Sequence, residues 1–306
     1  MPFTLIRGTF RLTNKTAAGN QTGFEPDGDS MQFKPNNSDL LNRLTRLSQP
    51  FKLTSIGSVQ LRFEGIDALE LHYAPTAGGS SSHQPRPLAD DSRDFLTKQL
   101  GLNPVEYAAP KNTRVKPPAA NDGADGFILS RSLEVHGRPV SFVFGGEPPA
   151  KDGQEVMLTT SLLKRSFNFA SLLNGFAYPL FYDTLFKDLR EAMAGAARTA
   201  RSKNLGLWAQ DLSQKGLKVI NQQGLETKGV LLPKLFRRLT DYLAEGNTGL
   251  AKFPAFLEAK REQVQDLDPN SPDFTNFTHF DARVSVKGGK VSLTQSPETL
   301  VFVSEK

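Results

Sequence analysis

The stretch from residue 59 to residue 70 carries side chains whose types and spacing could do chemistry. It alternates like a β-strand and then presents Arg62, Asp67 and Glu70 close to the strand end. Polar groups at a strand end can gather chemistry without opening the core of a sheet protein. Taken alone, one arginine and two carboxylates are more typical of a solvated salt-bridge cluster.

Two other stretches supply groups that the first one lacks. Asp27 and Asp29 flank a glycine in a predicted turn, and Arg138 follows His136 in a turn between two strand-like runs. Carboxylate oxygens are the ligands that a hard cation such as calcium prefers. Guanidinium groups stay charged and can bind two oxygens of an anion at once. Together these residue types suit attack on a phosphodiester, with a further carboxylate to orient water and accept its proton.

Composition sets the broad class of the protein. The chain has 306 residues, of which 38% are apolar, and this length suits one well-buried domain with a second smaller one. The absence of cysteine excludes disulfides, thiolate catalysis and cysteine-ligated zinc sites. A net charge of +5 favours polyanionic partners without identifying one. No apolar run approaches a membrane span and no secretory signal is visible, so we expect a cytoplasmic protein, or a secreted one if a leader has been removed.

The elements that must position these residues form a mixed pattern of strands and helices. Residues 74–87 lack periodicity and are rich in glycine, serine and proline, which predicts a surface loop. The periodicity predicts strands over 3–13, 30–34, 53–66, 127–133 and 140–144, helices over 35–49, 88–100, 162–173, 182–205, 231–245 and 250–264, and a hairpin across Gly288-Gly289.

The ordered set of motifs resembles the staphylococcal-nuclease family, that is, thermonuclease-like domains. The motifs are Asp27-Gly28-Asp29-Ser30, then Arg62-Phe63-Glu64-Gly65-Ile66-Asp67-Ala68-Leu69-Glu70, then Gly137-Arg138, then an alanine-rich helix ending in Lys203-Asn204-Leu205-Gly206-Leu207-Trp208. The resemblance covers residues 1–211, with insertions near 35–52, 74–87 and 104–126. It implies an α+β fold, a five-stranded OB-type β-barrel with three helices. Residues 212–306 would add a C-terminal α/β extension of helices and a hairpin, with no assigned role.

The resemblance implies a calcium-dependent nuclease that hydrolyses phosphodiester bonds of DNA, and possibly of RNA, with low sequence specificity. Asp29 and Asp67 match the two carboxylates that ligate the metal ion in the family. Ala68 stands where the family usually has threonine, and its backbone carbonyl matches a further metal ligand. Asp27 matches an outer acid that does not contact the ion directly.

The resemblance also implies three catalytic residues. Arg62 and Arg138 match the two arginines that contact the scissile phosphate, and Glu70 matches the glutamate that positions or activates the attacking water. Because a lysine cannot reproduce the bidentate contact of a guanidinium group, a lysine at either arginine position should not restore full activity.

Three further residues are candidates for substrate binding. His136 stands where family members often have a tyrosine, and it could stack on a base or be a simple turn histidine. Tyr178 and Tyr182 lie where the family has aromatic residues near the nucleotide. Because Phe176 and Phe181 alternate with them, core packing explains at least one of the two tyrosines.

Two other functions compete with the nuclease. One is a non-catalytic, nuclease-like scaffold that binds nucleic acid or protein. Such domains lack the acids or the arginines, whereas this sequence has all five principal residues, and this favours the enzyme. The other is a plain OB-fold binder of single strands, which would leave Asp29, Asp67 and Glu70 as unexplained repulsion against phosphate.

Overall fold

The computed structural model describes residues 2–16, 18–46, 49–219, 221–268 and 275–304, and the fold within them is α+β, as the sequence predicts. The strands are β1 Phe3–Arg11, β2 Thr13–Lys15, β3 Gln21–Gly23, β4 Ser30–Pro35, β5 Thr45–Arg46, β6 Val59–Phe63, β7 Ile66–Asp67, β8 Ala124–Leu133, β9 Pro139–Gly145, β10 Glu155–Val156, β11 Tyr178–Pro179, β12 Phe181–Tyr182, β13 Leu217–Lys218, β14 Gln263–Asp266, β15 Phe277–His279, β16 Val284–Lys287, β17 Lys290–Leu293 and β18 Leu300–Phe302. The α-helices are α1 Arg86–Gln99, α2 Thr160–Leu163, α3 Phe167–Leu173, α4 Lys187–Ser202, α5 Gln222–Lys228, α6 Pro233–Ala244 and α7 Phe253–Lys260.

The chain forms two compact units, and each is built from separate stretches of sequence. Unit 1 comprises Met1–Glu64 and Arg93–Ser171. Unit 2 comprises Gly65–Ser92 and Leu172–Ser304. The predicted division of the chain after residue 211 stays a prediction.

Unit 1 contains a closed five-stranded β-barrel, as predicted. The strands follow one another in the order β1, β4, β6, β9 and β8, and β8 pairs with β1 to close the barrel. Neighbouring strands are antiparallel except β6 and β9, which are parallel. The short strand β10 pairs with β1, and the short strand β5 pairs with β8. Closure leaves the five barrel strands without the unpaired edges that favour aggregation.

Buried aromatic pairs help to fix the register of the barrel strands. Phe10 of β1 lies opposite Phe33 of β4, with ring centroids 5.0 Å apart. Phe127 of β8 lies opposite Phe144 of β9, and their rings stack at 4.7 Å. A slip of one residue would turn these rings to the other face of the sheet, so their burial selects one register.

The helix predicted over residues 35–49 is largely wrong. A short 3-10 helix spans Ser38–Arg43, and Asn37 caps it by accepting a hydrogen bond from the backbone of Asp39. Leu44 is extended, and Thr45–Arg46 then pairs with β8. Strand pairing thus overrides the helical periodicity of the leucines. Residues 47 and 48 of the predicted helix lie outside the described residues.

Unit 2 combines helices with small sheets. One sheet has the order β12, β18, β14 and β15, another has the order β13, β17 and β16, and β7 pairs with β11. The β16–β17 hairpin turns at Gly288-Gly289, as predicted. Helices α4 and α6 lie within their predicted ranges, but α7 ends at Lys260 because Arg261 is left-handed and β14 begins at Gln263.

No helix in the described ranges is long and apolar enough to cross a membrane.

Candidate functional site

In unit 1, the register of β6 gathers the acidic turn and both predicted catalytic arginines. The backbone carbonyl of Asp29 accepts a hydrogen bond of 2.9 Å from the amide of Phe63. Arg62 lies opposite Ser30 on one side and opposite Val140, two residues after Arg138, on the other. The side chains of Asp29, Arg62 and Arg138 are all half-buried, and three separate stretches therefore meet along one strand.

The turn before β4 is closed by local hydrogen bonds. The amide of Asp27 donates to the carbonyl of Ser30 at 3.3 Å. The Asp27 carboxylate folds back and accepts from the amide of Gly28 at 2.9 Å. This contact is typical of an aspartate that shapes its own turn, and the predicted role of Asp27 as an outer acid of a metal site stays a prediction.

Arg138 is held by Glu134, a contact that the motifs did not indicate. Glu134 Oε1 accepts hydrogen bonds of 3.1 Å from Arg138 Nε and from the backbone amides of His136 and Arg138. Burial opposes ionisation of Glu134, but the hydrogen bonds from Arg138 outweigh it and lower the pKa of this carboxyl. The guanidinium group of Arg138 is therefore oriented by a carboxylate four residues earlier.

Gly137 makes this turn possible. Its φ is +80°, a region that side chains other than glycine rarely adopt. A Cβ atom at this position would also lie only 2.2 Å from the carbonyl oxygen of Pro50. The neighbouring His136 side chain is exposed, and its predicted contact with substrate stays a prediction.

In unit 2, Asp67 and Glu70 share one arginine that the sequence analysis missed. Arg237 Nη1 donates to Asp67 Oδ1 at 3.0 Å and to Glu70 Oε1 at 2.5 Å, while Nη2 donates to Asp67 Oδ2 at 3.0 Å. The Asp67 side chain is 0% exposed, that of Glu70 15% and that of Arg237 19%. Burial alone would lower the pKa of Arg237, but the charges of Asp67 and Glu70 raise it well above its ordinary value.

A short strand pair fixes the position of Asp67 within unit 2. Asp67 lies opposite Tyr178 in the β7–β11 pair, and the amide of Leu180 donates to the carbonyl of Gly65 at 3.2 Å. Gly65 has a φ of +74°, and a Cβ atom there would lie 2.7 Å from Cε of Met193. Glycine suits the turn into β7, because side chains of other residues rarely adopt this φ. The neighbouring Ala68, whose carbonyl is a predicted metal ligand, is buried.

Glu70 is anchored through its backbone to Gln84. The amide of Glu70 donates to Gln84 Oε1 at 3.1 Å, and its carbonyl accepts from the amide of Gln84 at 2.8 Å. Gln84 Nε2 in turn donates to the carbonyls of Gly229 and Leu231, just before α6. The expected surface loop over 74–87 is therefore wrong at its end, since Ser82 is 2% exposed and Gln84 0%. A glutamine with buried backbone partners is indistinguishable in sequence from a loop glutamine.

Four charged residues of α6 lie at helical spacing, and we call them the α6 stripe: Lys234, Arg237, Arg238 and Asp241. Asp241 accepts hydrogen bonds from the hydroxyl of Tyr73 at 3.0 Å and from the amide of Thr76 at 2.9 Å. Burial, followed by the charge of Asp241, raises the pKa of Tyr73 to about 12. This spacing was the one available signal, but charges on one side of a helix usually face solvent.

The remaining members of the α6 stripe converge on Glu262. Arg238 donates to this carboxylate through Nε at 2.8 Å and Nη2 at 2.7 Å, and Lys234 Nζ donates at 2.6 Å. Burial opposes ionisation of Glu262, yet the two cations lower its pKa to about 2. The stripe is therefore an internal electrostatic network of unit 2, and it fixes α6 to residues 67–76 and to Glu262, which precedes β14.

A calcium ion does not fit Asp67 in this arrangement. Both carboxylate oxygens accept hydrogen bonds from Arg237, whose charge lies where a cation bound by those oxygens would have to sit. Calcium takes about six to eight oxygen ligands, and a guanidinium group bound to the same oxygens repels it. Among the described residues, no group of three or more histidine or acidic side chains could hold a metal ion. The metal roles of Asp29, Asp67 and Ala68 stay predictions.

The two predicted aromatic contacts with substrate have internal partners in unit 2. Tyr178 is completely buried, its hydroxyl donates to Asp211 at 2.6 Å, and its ring meets Trp208 edge-on at 5.0 Å. Burial, followed by Asp211, raises its pKa well above the ordinary value. Tyr182 is half-buried, with its ring 6.3 Å from that of Phe302. Substrate contact by either tyrosine stays a prediction, and burial of Tyr178 argues against it.

No protein-family model matches this chain, and no curated protein matches it. The resemblance to the staphylococcal-nuclease family rests on the ordered motifs, and membership of the family stays a prediction.

Proposed function

We propose that this chain is a phosphodiesterase of the staphylococcal-nuclease type that acts on DNA, and possibly on RNA, with low sequence specificity. The observation that carries the proposal is the register of β6. It brings the Asp29 turn to one side of Arg62 and the strand that follows Arg138 to the other. Two guanidinium groups near one barrel strand suit phosphodiester hydrolysis, whose transition state carries two negative charges.

The barrel supports the OB-type assignment that belongs to this proposal. Its five strands close in the order first, second, third, fifth and fourth, with one parallel pair between the third and the fifth. A five-stranded barrel with non-sequential neighbours is typical of the OB fold, which binds oligonucleotides on one face. A net charge of +5 is compatible with such a substrate.

The proposed chemistry needs groups that are oriented before the substrate arrives. Glu134 orients Arg138, so this guanidinium group needs little reorganisation to meet a phosphate. Arg237 and Gln84 orient Glu70, whose second carboxylate oxygen accepts no hydrogen bond from the described residues. That oxygen could accept the proton of an attacking water. Calcium enters the proposal through the resemblance alone, since Arg237 holds Asp67 in the arrangement described.

Hydrolysis of labelled oligonucleotides by the full chain tests the proposal. We expect cleavage of single-stranded DNA, and a matched RNA measures the preference between the two. Arg62→Lys and Arg138→Lys should each lower kcat about 100-fold or more, because a lysine cannot replace the bidentate contact. Arg7→Lys changes an exposed arginine of the same barrel and is the matched control. A wild-type chain that cuts neither substrate, with calcium or with chelator, would exclude the nuclease.

The second candidate is a nuclease-like scaffold that binds nucleic acid without cutting it. The pairing of Arg237 with Asp67 favours this candidate, because it neutralises a carboxylate that the nuclease would need for an ion. Oligonucleotide binding measured by fluorescence anisotropy, without cleavage over the same period, would support the scaffold.

A further inference from the structure

Asp67 and Glu70 receive their positive charge from inside the chain. Three carboxylate oxygens lie 2.5 to 3.0 Å from the two terminal nitrogens of one guanidinium group. A carboxylate that is 0% exposed, as Asp67 is, requires a cationic partner to remain ionised at low cost. Arg237 provides that partner, so the pair needs no ion from solution in this arrangement.

Arg237 is held in this position by the helix that carries it. Within α6, Asp241 is bonded to Tyr73 and Thr76, and Arg238 is bonded to Glu262. These contacts fix the same side of the helix as Arg237 at several points along its length. The position of the guanidinium group beside the two carboxylates is therefore fixed by the contacts of α6.

A divalent ion and Arg237 would compete for the same oxygens. The two carboxylates carry a charge of −2, and Arg237 reduces the net charge of the cluster to −1. A divalent ion added to the cluster would bring it to +1 with two cations in contact, whereas an ion replacing Arg237 would bring it to zero. Binding of the ion therefore weakens the Arg237 contact, and the Arg237 contact weakens binding of the ion by the same free energy.

We propose that Arg237 is the resident counterion of the Asp67–Glu70 pair and that it opposes divalent-ion binding at these carboxylates. Arg237, which lies beyond residue 211, then sets the metal affinity of Asp67 and Glu70, which lie in the part of the chain that resembles the nuclease family. The inference concerns how the proposed site is regulated. It rests on the proposed function only where it assumes that Asp67 and Glu70 take part in catalysis. The ion competition itself follows from charge and geometry.

Isothermal titration of the full chain with calcium tests the proposal. We expect Arg237→Gln to bind calcium about tenfold more tightly than wild type, or better, since couplings of this kind span about 5- to 150-fold. Arg198→Gln removes an exposed guanidinium group of α4, in the same unit and outside this network, and should leave the wild-type affinity unchanged. Adding Asp67→Asn to Arg237→Gln should abolish the gain. Equal affinity of wild type and Arg237→Gln would overturn the proposal.

A second measurement needs no variant that removes the Arg237 charge. Thermal unfolding of wild type in millimolar calcium and in chelator should give nearly the same Tm, because an ion that binds the folded chain only weakly hardly stabilises it. A Tm that rises with calcium in wild type and not in Glu70→Gln would contradict the inference. This test holds even if Arg237→Gln does not fold.

The outcomes separate this inference from the proposed function. If the chain cuts oligonucleotides but Arg237→Gln gains no calcium affinity, the proposed function stands and the inference about Arg237 is wrong. A chain that cuts nothing but gains calcium affinity on Arg237→Gln keeps the inference and loses the function.

Discussion

The two units hold their predicted chemical groups in opposite ways. In unit 1 the cation Arg138 is held by the carboxylate of Glu134, four residues earlier in the same turn. In unit 2 the carboxylate of Asp67 is held by the cation Arg237, which lies 170 residues later. The first contact is local and partly exposed, and the second is long-range and involves a fully buried acid. A motif can therefore be complete in sequence while half of its electrostatics lies elsewhere in the chain.

Removing the partner charge should destabilise unit 2 more than unit 1. We expect Arg237→Met to lower the free energy of unfolding by about 3 to 5 kcal/mol, because it leaves a buried carboxylate without a cation. Glu134→Met should cost about 1 kcal/mol, since its partner is partly exposed. Urea unfolding of the two variants measures both values. Equal losses would show that the two contacts do not differ in kind.

The buried carboxylate of Glu262 should make the stability of the chain depend on pH. The pKa of Glu262 falls from 4.5 to about 2 in the folded chain, so its contribution is fully present above about pH 4.5 and is lost as the pH falls towards 2. This amounts to roughly 3 kcal/mol at neutral pH. Unfolding measured from pH 6 down to pH 3 should be flatter for Glu262→Gln than for wild type. Parallel pH curves would remove Glu262 from the acid response.

The turn that carries Arg138 needs glycine at position 137 for two reasons, its left-handed φ and its close approach to Pro50. Gly137→Ala combines a left-handed φ with a Cβ 2.2 Å from the Pro50 carbonyl, and we expect a loss of about 2 kcal/mol or more. Gly146→Ala is the matched control, because Gly146 has a similar φ of +74° and open space around a new Cβ. Its loss should be about 1 kcal/mol. Denaturant midpoints that coincide would discount the contact with Pro50.

The smallest effect is expected at Tyr73. Tyr73→Phe removes one donor from Asp241, which keeps the amide of Thr76, and should cost about 1 kcal/mol. Because the pKa of Tyr73 is raised to about 12, its neutral form stabilises the fold fully below pH 10, and this is lost as the pH rises from 10 to 12. Absorbance titration of the phenol in wild type checks the shift, and titration near 10 would contradict it.

The sequence predicts what local patterns determine. Alternation predicts the five barrel strands, and paired glycines predict the β16–β17 turn, because neighbouring residues decide both. The helix over 35–49 fails because β5 pairs with β8, more than 80 residues away. The α6 stripe escaped prediction for the same reason. Its charges look like a solvated helix face until Asp67, Tyr73 and Glu262 are known to lie against them.

Gln84 has a practical consequence for anyone who cuts this chain into pieces. The side-chain amide of Gln84 hydrogen-bonds the backbone of Glu70 on one side and the carbonyls of Gly229 and Leu231 on the other. A fragment that stops at residue 211 would contain every motif of the resemblance and lack both those carbonyls and Arg237. In such a fragment Asp67 would lack its cationic partner, so an inactive or insoluble fragment would say nothing about the intact protein.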